Sequence, residues 1–382
     1  MFESRYLSHK RVQCQLEERE GFMPLLFGQN LTQLQLMQRV GDPQQVFGVR
    51  LLTFADGPER GVRTLEFDTG GGLRFEVLVD RCMDIGTMHY RGTPIGWQSA
   101  TGFRSPWLHE GGAEDGLGFL RSFTGFMNTC GLDHVLAPAA EIAPRYGRPT
   151  VTRHNLHGRA SYTPARLAGY GTRWEDERCF LWAEGEIRQA AVAGENLHLI
   201  RRIEAEVGSN SVTISDRVTN RGFQSTPHML LYHINFGWPL LAEGTEFQVP
   251  TSVSSLVGSG VVEDESQFRF QSGPQTEFLE RVYDHTVVPT ADGQVNVALI
   301  NRKYDGGNGS PGLAFLLQYD HAALPGLLQW QRFEEGCYVV GIEPSTVRSG
   351  LRSEQEERGE VRWLAHNQSC DYKLKFSVVA GF

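Results

Sequence analysis

A strand-like segment near the middle of the chain places an imidazole inside an apolar run. In residues 227–237, His233 and Asn235 alternate with large hydrophobic side chains. Because successive side chains of a strand point to opposite faces, the two polar residues share one face with Leu231. Leu230, Tyr232, Ile234 and Phe236 share the other face, which we expect to be core. An imidazole can give or accept a proton near neutral pH. The pattern is typical either of a histidine that lines a cleft or of an outer strand face in contact with solvent.

A second segment, residues 337–346, ends a hydrophobic strand pattern on a carboxylate. Glu343 is followed by Pro344, which ends the strand, and Gly341 lies on the same predicted face as the carboxylate. A glycine there lets a ligand or another backbone approach closely. A partly desolvated Glu has a raised pKa and is a better base. The alternative interpretation is a rim glutamate in solvent or one paired with an arginine.

Two histidines in the segment Arg153–Arg159 form a third candidate. His154 and His157 lie between Arg153 and Arg159 and precede Gly158. We expect a polar loop that hydrogen-bonds a polyhydroxylated ligand. Two neighbouring histidines could also share a metal ion, but no third ligand stands at the spacing of a known metal motif.

Further polar and aromatic residues leave two interpretations open. Asp284 lies in the segment 280–285 and is either solvent-exposed or holds a ligand. Arg81, between Asp80 and Asp84, either belongs to a structural ion-pair turn or reaches a ligand oxygen. Tryptophans can stack on the apolar faces of sugar rings, although core packing is their commoner use. The four considered for this role are Trp97, Trp107, Trp238 and Trp330.

The elements that must position these side chains are mostly short strands. From about residue 45 onward, alternating hydrophobic runs are separated by turn signals such as ADG and TGGG, and helical periodicity is nearly absent. We therefore predict an all-β protein built as a large antiparallel β-sandwich. We expect residues 1–40 to form an N-terminal extension packed on the main body, and residues 41–382 to form a single β-sandwich domain.

Composition excludes several classes of protein. The 382 residues include 36 Lys and Arg against 45 Asp and Glu, a net charge of −9 without a basic stripe, which disfavours binding to nucleic acid or an anionic membrane. There is no apolar stretch of transmembrane length and no secretory signal at the charged start. The six scattered cysteines fit reduced thiols, so we expect a cytoplasmic protein. The oligomeric state stays open, a homodimer being one option.

The order of these motifs along the chain resembles that of the aldose 1-epimerase (galactose mutarotase-like) superfamily, in particular its less characterised aldose 1-epimerase-like branch. The resemblance covers roughly residues 45–380. The motifs that carry it are Leu156-His157-Gly158, the strand from Thr226-Pro227 to His233 with Asn235-Phe236, Tyr283-Asp284-His285, and Glu343-Pro344.

The resemblance implies a β-supersandwich enzyme that interconverts the α and β anomers of free sugars without a metal or other cofactor. It implies Glu343 as catalytic base and His233, protonated, as catalytic acid, and we expect a nearby carboxylate to raise the pKa of that histidine. It implies His157 and Asp284 as sugar-binding residues and, more loosely, Arg81. Asn235, beside His233, is a further candidate for substrate binding.

Two departures from the family pattern leave the substrate open. Asp80-Arg81 stands where an Asn-Arg motif is typical, and Ile342-Glu343-Pro344-Ser345 replaces the usual Leu-Glu-x-Gln. The alternatives are a non-catalytic carbohydrate-binding protein, a metal-dependent isomerase using His154 and His157, or another sugar isomerase or lyase. The last would act on a phosphorylated or acidic sugar, and its anion partners would be Arg153 and Arg159, or Arg104 and Arg121.

Overall fold

Antiparallel strands form nearly all of the regular structure in the computed structural model, which describes residues 23–145, 148–258, 264–306 and 311–382. The prediction of an all-β protein is confirmed. Helices are short, as expected from the weak helical periodicity. The α-helices are Gln33–Met37, Ala113–Gly116, Ser266–Arg269 and Arg352–Glu357, and the 3₁₀ turns are Pro43–Gln45, Gly57–Glu59, Pro106–Leu108, Gly118–Arg121 and Ala160–Tyr162.

The described chain begins with a small hairpin and a five-stranded sheet. The hairpin consists of β1 (Leu25–Leu26) and β2 (Gln29–Asn30). The sheet has its strands in sequence order, as expected of a meander connected by tight turns. Its members are β3 (Gly48–Thr53), β4 (Arg63–Asp68), β5 (Leu73–Leu78), β6 (Asp84–Tyr90) and β7 (Thr93–Pro94).

Two larger sheets follow, together with a separate hairpin. The strands are β8 (Met127–Leu132), β9 (Ala139–Arg145), β10 (Arg148–His154), β11 (Arg166–Glu175), β12 (Arg178–Ala190), β13 (Asn196–Glu206), β14 (Ser211–Asn220), β15 (Thr226–Phe236), β16 (Glu246–Gln248), β17 (Thr251–Leu256), β18 (Arg281–Val287), β19 (Gln294–Asn301), β20 (Leu313–Asp320), β21 (Gly326–Glu334), β22 (Cys337–Ser345), β23 (Arg362–Leu364) and β24 (Ser369–Ala380). The eight-stranded sheet has the order β11-β12-β13-β14-β24-β20-β19-β16. The seven-stranded sheet has the order β17-β18-β21-β22-β15-β23, with β8 also pairing with β15, and β9 pairs with β10.

The main core lies between the two large sheets. Phe236 of the seven-stranded sheet contacts Phe315 of the eight-stranded sheet, with ring centroids 4.7 Å apart. The inner face of β15 is the apolar set expected from the sequence, namely Leu230, Tyr232, Ile234 and Phe236, and all four belong to this core. Such aromatic and aliphatic side chains fit the pleated, half-buried surface of a strand. Burial of this face therefore fixes the register of β15.

A second hydrophobic cluster covers the opposite face of the seven-stranded sheet. Leu231, Leu328 and Val339 come from its strands, and Phe119 and Phe123 come from the segment that precedes β8. The polar residues of β15 and β22 therefore lie between two apolar layers rather than on a solvent-wetted face.

The segment before residue 40 contributes to the main core where the structure describes it. Leu26, Leu31 and Leu36 are buried in that cluster. Residues 1–22 lie outside the described residues, so the predicted boundary at residue 40 stays a prediction. Within the described ranges, no helix has the length and apolar character needed to cross a membrane. The five described cysteines are free thiols, and Cys14 lies outside the described part of the chain.

Candidate active site

Strand pairing brings His233 and Glu343 together although 110 positions separate them in the sequence. In the β15–β22 ladder, Asn235 lies opposite Gly341 and Leu231 lies opposite Ser345. This register places His233 across from Glu343 on the same face of the sheet. The imidazole Nε2 lies 3.2 Å from the carboxyl Oε1.

Both members of this pair are buried. His233 is 4% exposed and Glu343 is 3% exposed. Burial disfavours the charged form of each group, so it lowers the pKa of His233 to about 3 and raises the pKa of Glu343 to about 8, with Glu280 adding to the latter shift. The expectation that the carboxylate raises the histidine pKa is therefore wrong, because desolvation by burial dominates.

Aromatic rings enclose the imidazole. The ring of Phe123 lies 4.8 Å and that of Trp330 lies 5.5 Å from the ring of His233, measured between centroids. Trp97 packs against Trp330 at 6.3 Å, whereas Trp107 and Trp238 are exposed elsewhere. Trp330 is partly exposed beside the pair and offers a face for a sugar ring. Trp330 is one of the four tryptophans considered from the sequence for stacking on a sugar, whereas nothing in the sequence pointed to Phe123.

Gly341 leaves room for the two reactive groups. A β-carbon at this position would lie 2.8 Å from Cε1 of His233 and 3.0 Å from Oε1 of Glu343. These distances are shorter than ordinary van der Waals contacts, so any side chain here would displace the pair. The expected role of this glycine in freeing space next to the carboxylate agrees with its surroundings.

The loop between β10 and β11 carries His157 to the same place. His157 has a left-handed backbone, with φ 60°, and Gly158 follows with φ 75°. A β-carbon on Gly158 would come within 2.4 Å of the carbonyl oxygen of Gly131, so the loop needs a glycine to pack against β8. The imidazole of His157 lies 5.5 Å from that of His233 between centroids. Burial, followed by the neighbouring His233, lowers the pKa of His157 well below its usual value.

Arg81 is fully buried near this histidine cluster. Its Nη2 donates to the carbonyl oxygen of Ser122 at 2.9 Å, and its guanidinium lies 4.9 Å from the ring centroid of Tyr162. The ring of His109 also stacks on Tyr162, with ring centroids 3.5 Å apart. Tyr162 and Phe119, which contacts His157, belong to one hydrophobic cluster. The sequence did not indicate His109 or Tyr162, since neither lies in a regular strand pattern.

Several buried polar atoms around the pair have no hydrogen-bond partner within the described residues. They are Nδ1 of His157, and Nε and Nη1 of Arg81. Buried polar groups in folded proteins are almost always hydrogen-bonded, so a concentration of unsatisfied ones is typical of a ligand site. These donors and acceptors suit a ligand rich in hydroxyl groups.

Asp284 lies on the same face of the seven-stranded sheet as Glu343, but two strands away from it. The register runs from Asp284 to Leu328 and from Leu328 to Glu343, so two strand spacings separate the carboxylates. Its oxygens accept hydrogen bonds from Arg348, at 2.8 Å, and from the hydroxyl of Ser349, at 2.7 Å. Asp284 is therefore held in an ion pair with Arg348, a partner that the sequence did not indicate.

Asn235 is fully buried next to the pair. Its Nδ2 donates to the carbonyl oxygen of Gly125 at 3.0 Å and lies 3.3 Å from Oδ1 of Asn128, and a hydrogen bond between its side chain and His233 partly offsets the lowering of the histidine pKa. These contacts tie β15 to the segment before β8. The amide is thus a positioning group for the strand that carries His233.

The remaining histidine of the loop faces elsewhere. Nε2 of His154 lies 3.0 Å from Glu141, and its Nδ1 lies 3.8 Å from Asp133. His154 and His157 thus contact different groups. Over the described ranges, no group of three or more His, Cys, Asp or Glu side chains is arranged to hold a metal ion. Of the other predicted anion partners, Arg121 pairs with Glu114.

Comparisons with known proteins begin with a family model. A model for a domain of unknown function (DUF4432) matches residues 59–378, which is most of the chain. A comparison with curated proteins gives no match.

Solved structures with the same architecture span most of the chain. A Klebsiella pneumoniae protein described as a "putative aldose 1-epimerase" matches with a TM-score of 0.76 and 24% identity, covering 88% of this chain and 86% of that one. The Slr1438 protein of Synechocystis matches with a TM-score of 0.59 and 16% identity, covering 87% and 99%. A galactose mutarotase-like protein from Lactobacillus casei gives 0.51 and 12%, covering 83% and 100%. The chain therefore has the galactose mutarotase-like fold, as the sequence motifs predicted.

Proposed function

This chain belongs to the DUF4432 family, and on the geometry of its site we propose that it is an aldose 1-epimerase-like isomerase that interconverts the α and β anomers of a free sugar. The observation that carries the proposal is the buried pair of Glu343 and His233, with Oε1 and Nε2 3.2 Å apart. An acid and a base at this separation can serve two oxygens of one small ligand.

Anomer interconversion needs only proton transfer. A base removes the proton of the anomeric hydroxyl while an acid protonates the ring oxygen, and the ring opens to the free aldehyde. Rotation about the first carbon–carbon bond and reclosure with the opposite proton movements give the other anomer. Each positioned group contributes roughly 10²–10⁴-fold to the rate.

At pH values between the pKa of His233, about 3, and the pKa of Glu343, about 8, the pair carries one exchangeable proton. Burial favours the form in which this proton is on Glu343. Transfer of the proton across the 3.2 Å gap produces an imidazolium and a carboxylate. In that form Glu343 acts as the base and His233 as the acid. Sugar hydroxyls that donate to Glu343 stabilise the carboxylate and thereby favour this form.

The surrounding residues would bind the hydroxyl groups of the sugar. His157 and Arg81 supply buried nitrogen atoms without partners, and Trp330 supplies an aromatic face. Asp284 and Arg348 would act together as one polar group on the same face of the sheet, two strands away from Glu343. Asn235 would hold β15, and with it His233, in position.

The proposal is tested by exchange NMR on a panel of free and phosphorylated hexoses and pentoses. We expect the protein to accelerate α/β exchange of at least one free sugar above its uncatalysed rate. The sugars that respond would define the substrate class. Exchange at the uncatalysed rate for every sugar in the panel would contradict the proposal and favour a binding protein or a different sugar enzyme.

A further inference from the structure

A separate cavity of 390 Å³ lies beside the end of β12. It is bounded by β10, by the loop that follows His157, and by the turn between β12 and β13. Its lining shares no residue with the pair of His233 and Glu343 or with the groups around that pair. The lining residues are Val151, Thr152, Arg153, Arg159, Thr163, Arg188, Gln189, Ala190, Ala191 and Glu195.

Positive charge predominates in this lining. The lining contains three arginines, Arg153, Arg159 and Arg188, and one acidic residue, Glu195. Glu195 is itself engaged with another group. The contacts of Arg159 and Arg188 are long. Nη1 of Arg159 lies 3.6 Å from Asp133 and its Nη2 donates to the carbonyl oxygen of Arg153 at 3.3 Å, while Nη2 of Arg188 lies 3.4 Å from Glu186. Their guanidinium groups therefore keep donor capacity for an anion.

Buried polar atoms in the same lining have no partner among the described residues. They belong to Gln189, which is 4% exposed, and to Thr152, which is 8% exposed. Oε1 of Gln189 accepts a hydrogen bond from the backbone N–H of Leu132 at 2.9 Å, which fixes the orientation of the amide. Its Nε2 is consequently an unsatisfied donor. Unsatisfied donors that are buried beside a cavity indicate a missing acceptor.

We propose that this cavity is a second ligand site and that it binds a phosphate group, either free or as the ester of a small molecule. A phosphate offers several acceptor oxygens, and guanidinium groups pair with it through two parallel hydrogen bonds. Small-molecule sites measure roughly 300–1,000 Å³, so the cavity also has room for a substituent on the phosphate. The proposal does not depend on the reaction at His233 and Glu343.

The test is calorimetric titration at constant ionic strength with inorganic phosphate, glucose 6-phosphate and glucose. The variants Arg153→Gln and Arg188→Gln remove exposed side chains and should fold normally. Arg202→Gln is the matched control for Arg188→Gln. Arg202 pairs with Glu204, two positions away on the same strand, just as Arg188 pairs with Glu186. Arg202 does not line the cavity.

We expect wild type and Arg202→Gln to bind the phosphate probes equally. Arg153→Gln and Arg188→Gln should each weaken that binding about tenfold. Tighter binding of glucose 6-phosphate than of inorganic phosphate identifies an ester as the ligand, and the reverse identifies free phosphate. Absence of binding by either phosphate probe, or binding that both variants leave unchanged, would overturn the proposal. Anomer exchange of neutral sugars should be the same in all four proteins, which separates this outcome from the proposed function.

Discussion

At the scale of single residues, the pairing of a buried carboxyl with a buried imidazole determines the chemistry. Among the described residues, no arginine or lysine forms an ion pair with Glu343, and aromatic rings pack beside His233. The catalytically useful state is the one that holds a single exchangeable proton.

The pH dependence of the reaction follows from this proton count. Because the pKa of Glu343 is raised to about 8 and that of His233 is lowered to about 3, the pair keeps its proton between these limits. We expect kcat/KM for anomer exchange to fall above about pH 8 and to show no decline near pH 6.5, the usual pKa of histidine. Exchange rates from pH 5 to pH 9, corrected for uncatalysed exchange, measure this. A decline centred near pH 6.5 would show that His233 titrates as an exposed histidine.

The same burial predicts a cost to stability. The folded state keeps a proton on Glu343 that the unfolded chain releases above its ordinary pKa of 4.5, so the contribution of Glu343 to stability decreases as the pH rises from 4.5 towards 8. Glu343→Gln removes this titration. The variant should gain on the order of a few kcal/mol over wild type at pH 8 and much less at pH 5.

Thermal or urea unfolding at the two pH values measures this gain. Glu335→Gln is a suitable control, because Glu335 is an exposed residue of the turn between β21 and β22. We expect it to leave the pH dependence of stability as in wild type. Equal stability of Glu343→Gln and wild type at pH 8 would indicate that Glu343 is ionised there without penalty.

Sequence patterns could identify the two reactive residues but not their protonation. Strand alternation put His233 and Glu343 on noncore faces, and the order of motifs related them to a family. The second apolar layer comes from Phe119 and Phe123, whose segment has no strand periodicity. Burial from that side, and therefore the direction of both pKa shifts, has no signature in the local sequence. The Arg348 partner of Asp284 was missed because 64 positions separate them.

At the scale of elements, the ladder between β15 and β22 positions the site. A slip of one residue would turn His233 or Glu343 into the main core, so the apolar face of each strand fixes the register. At Gly341 on β22, an added methyl group would lie against both members of the pair.

The variant Gly341→Ala tests this arrangement. A β-carbon 2.8 Å from His233 and 3.0 Å from Glu343 must displace one of them, so we expect kcat for anomer exchange to fall by at least tenfold while the protein stays folded. Exchange NMR together with circular dichroism measures both quantities. Gly41→Ala, where the β-carbon has no neighbour within 4 Å, should keep full activity. Full activity of Gly341→Ala would show that the positions of these two side chains are not critical.

At the scale of the whole molecule, the strand patterns were sufficient to predict an all-β sandwich, but not how its sheets divide. The hairpin turns of β3–β7 and β11–β14 are local and can be recognised in the sequence. By contrast, β15 lies beside β8, β22 and β23, which are distant in the chain. Such pairings depend on tertiary packing, which the alternation of a single strand does not encode.

The segment before residue 40 should be part of the same cooperative unit. Leu36 is buried in the main core, whereas Leu34 on the same short helix is mostly exposed. We expect Leu36→Ala to lower the free energy of unfolding by about 2–4 kcal/mol and Leu34→Ala to change it little. Urea unfolding followed by fluorescence and circular dichroism measures this. If Leu36→Ala left the transition unchanged, the segment would not contribute to the stability of the sandwich.

The central claim is that Glu343 and His233 move the protons of a sugar, and exchange NMR on the most responsive free sugar tests it most directly. Wild type and Glu335→Gln should accelerate α/β exchange to the same extent. Glu343→Gln keeps the size of the side chain but cannot accept the proton, so its exchange should fall by at least 10²-fold while the sugar still binds. Equal exchange in wild type and Glu343→Gln would contradict the account.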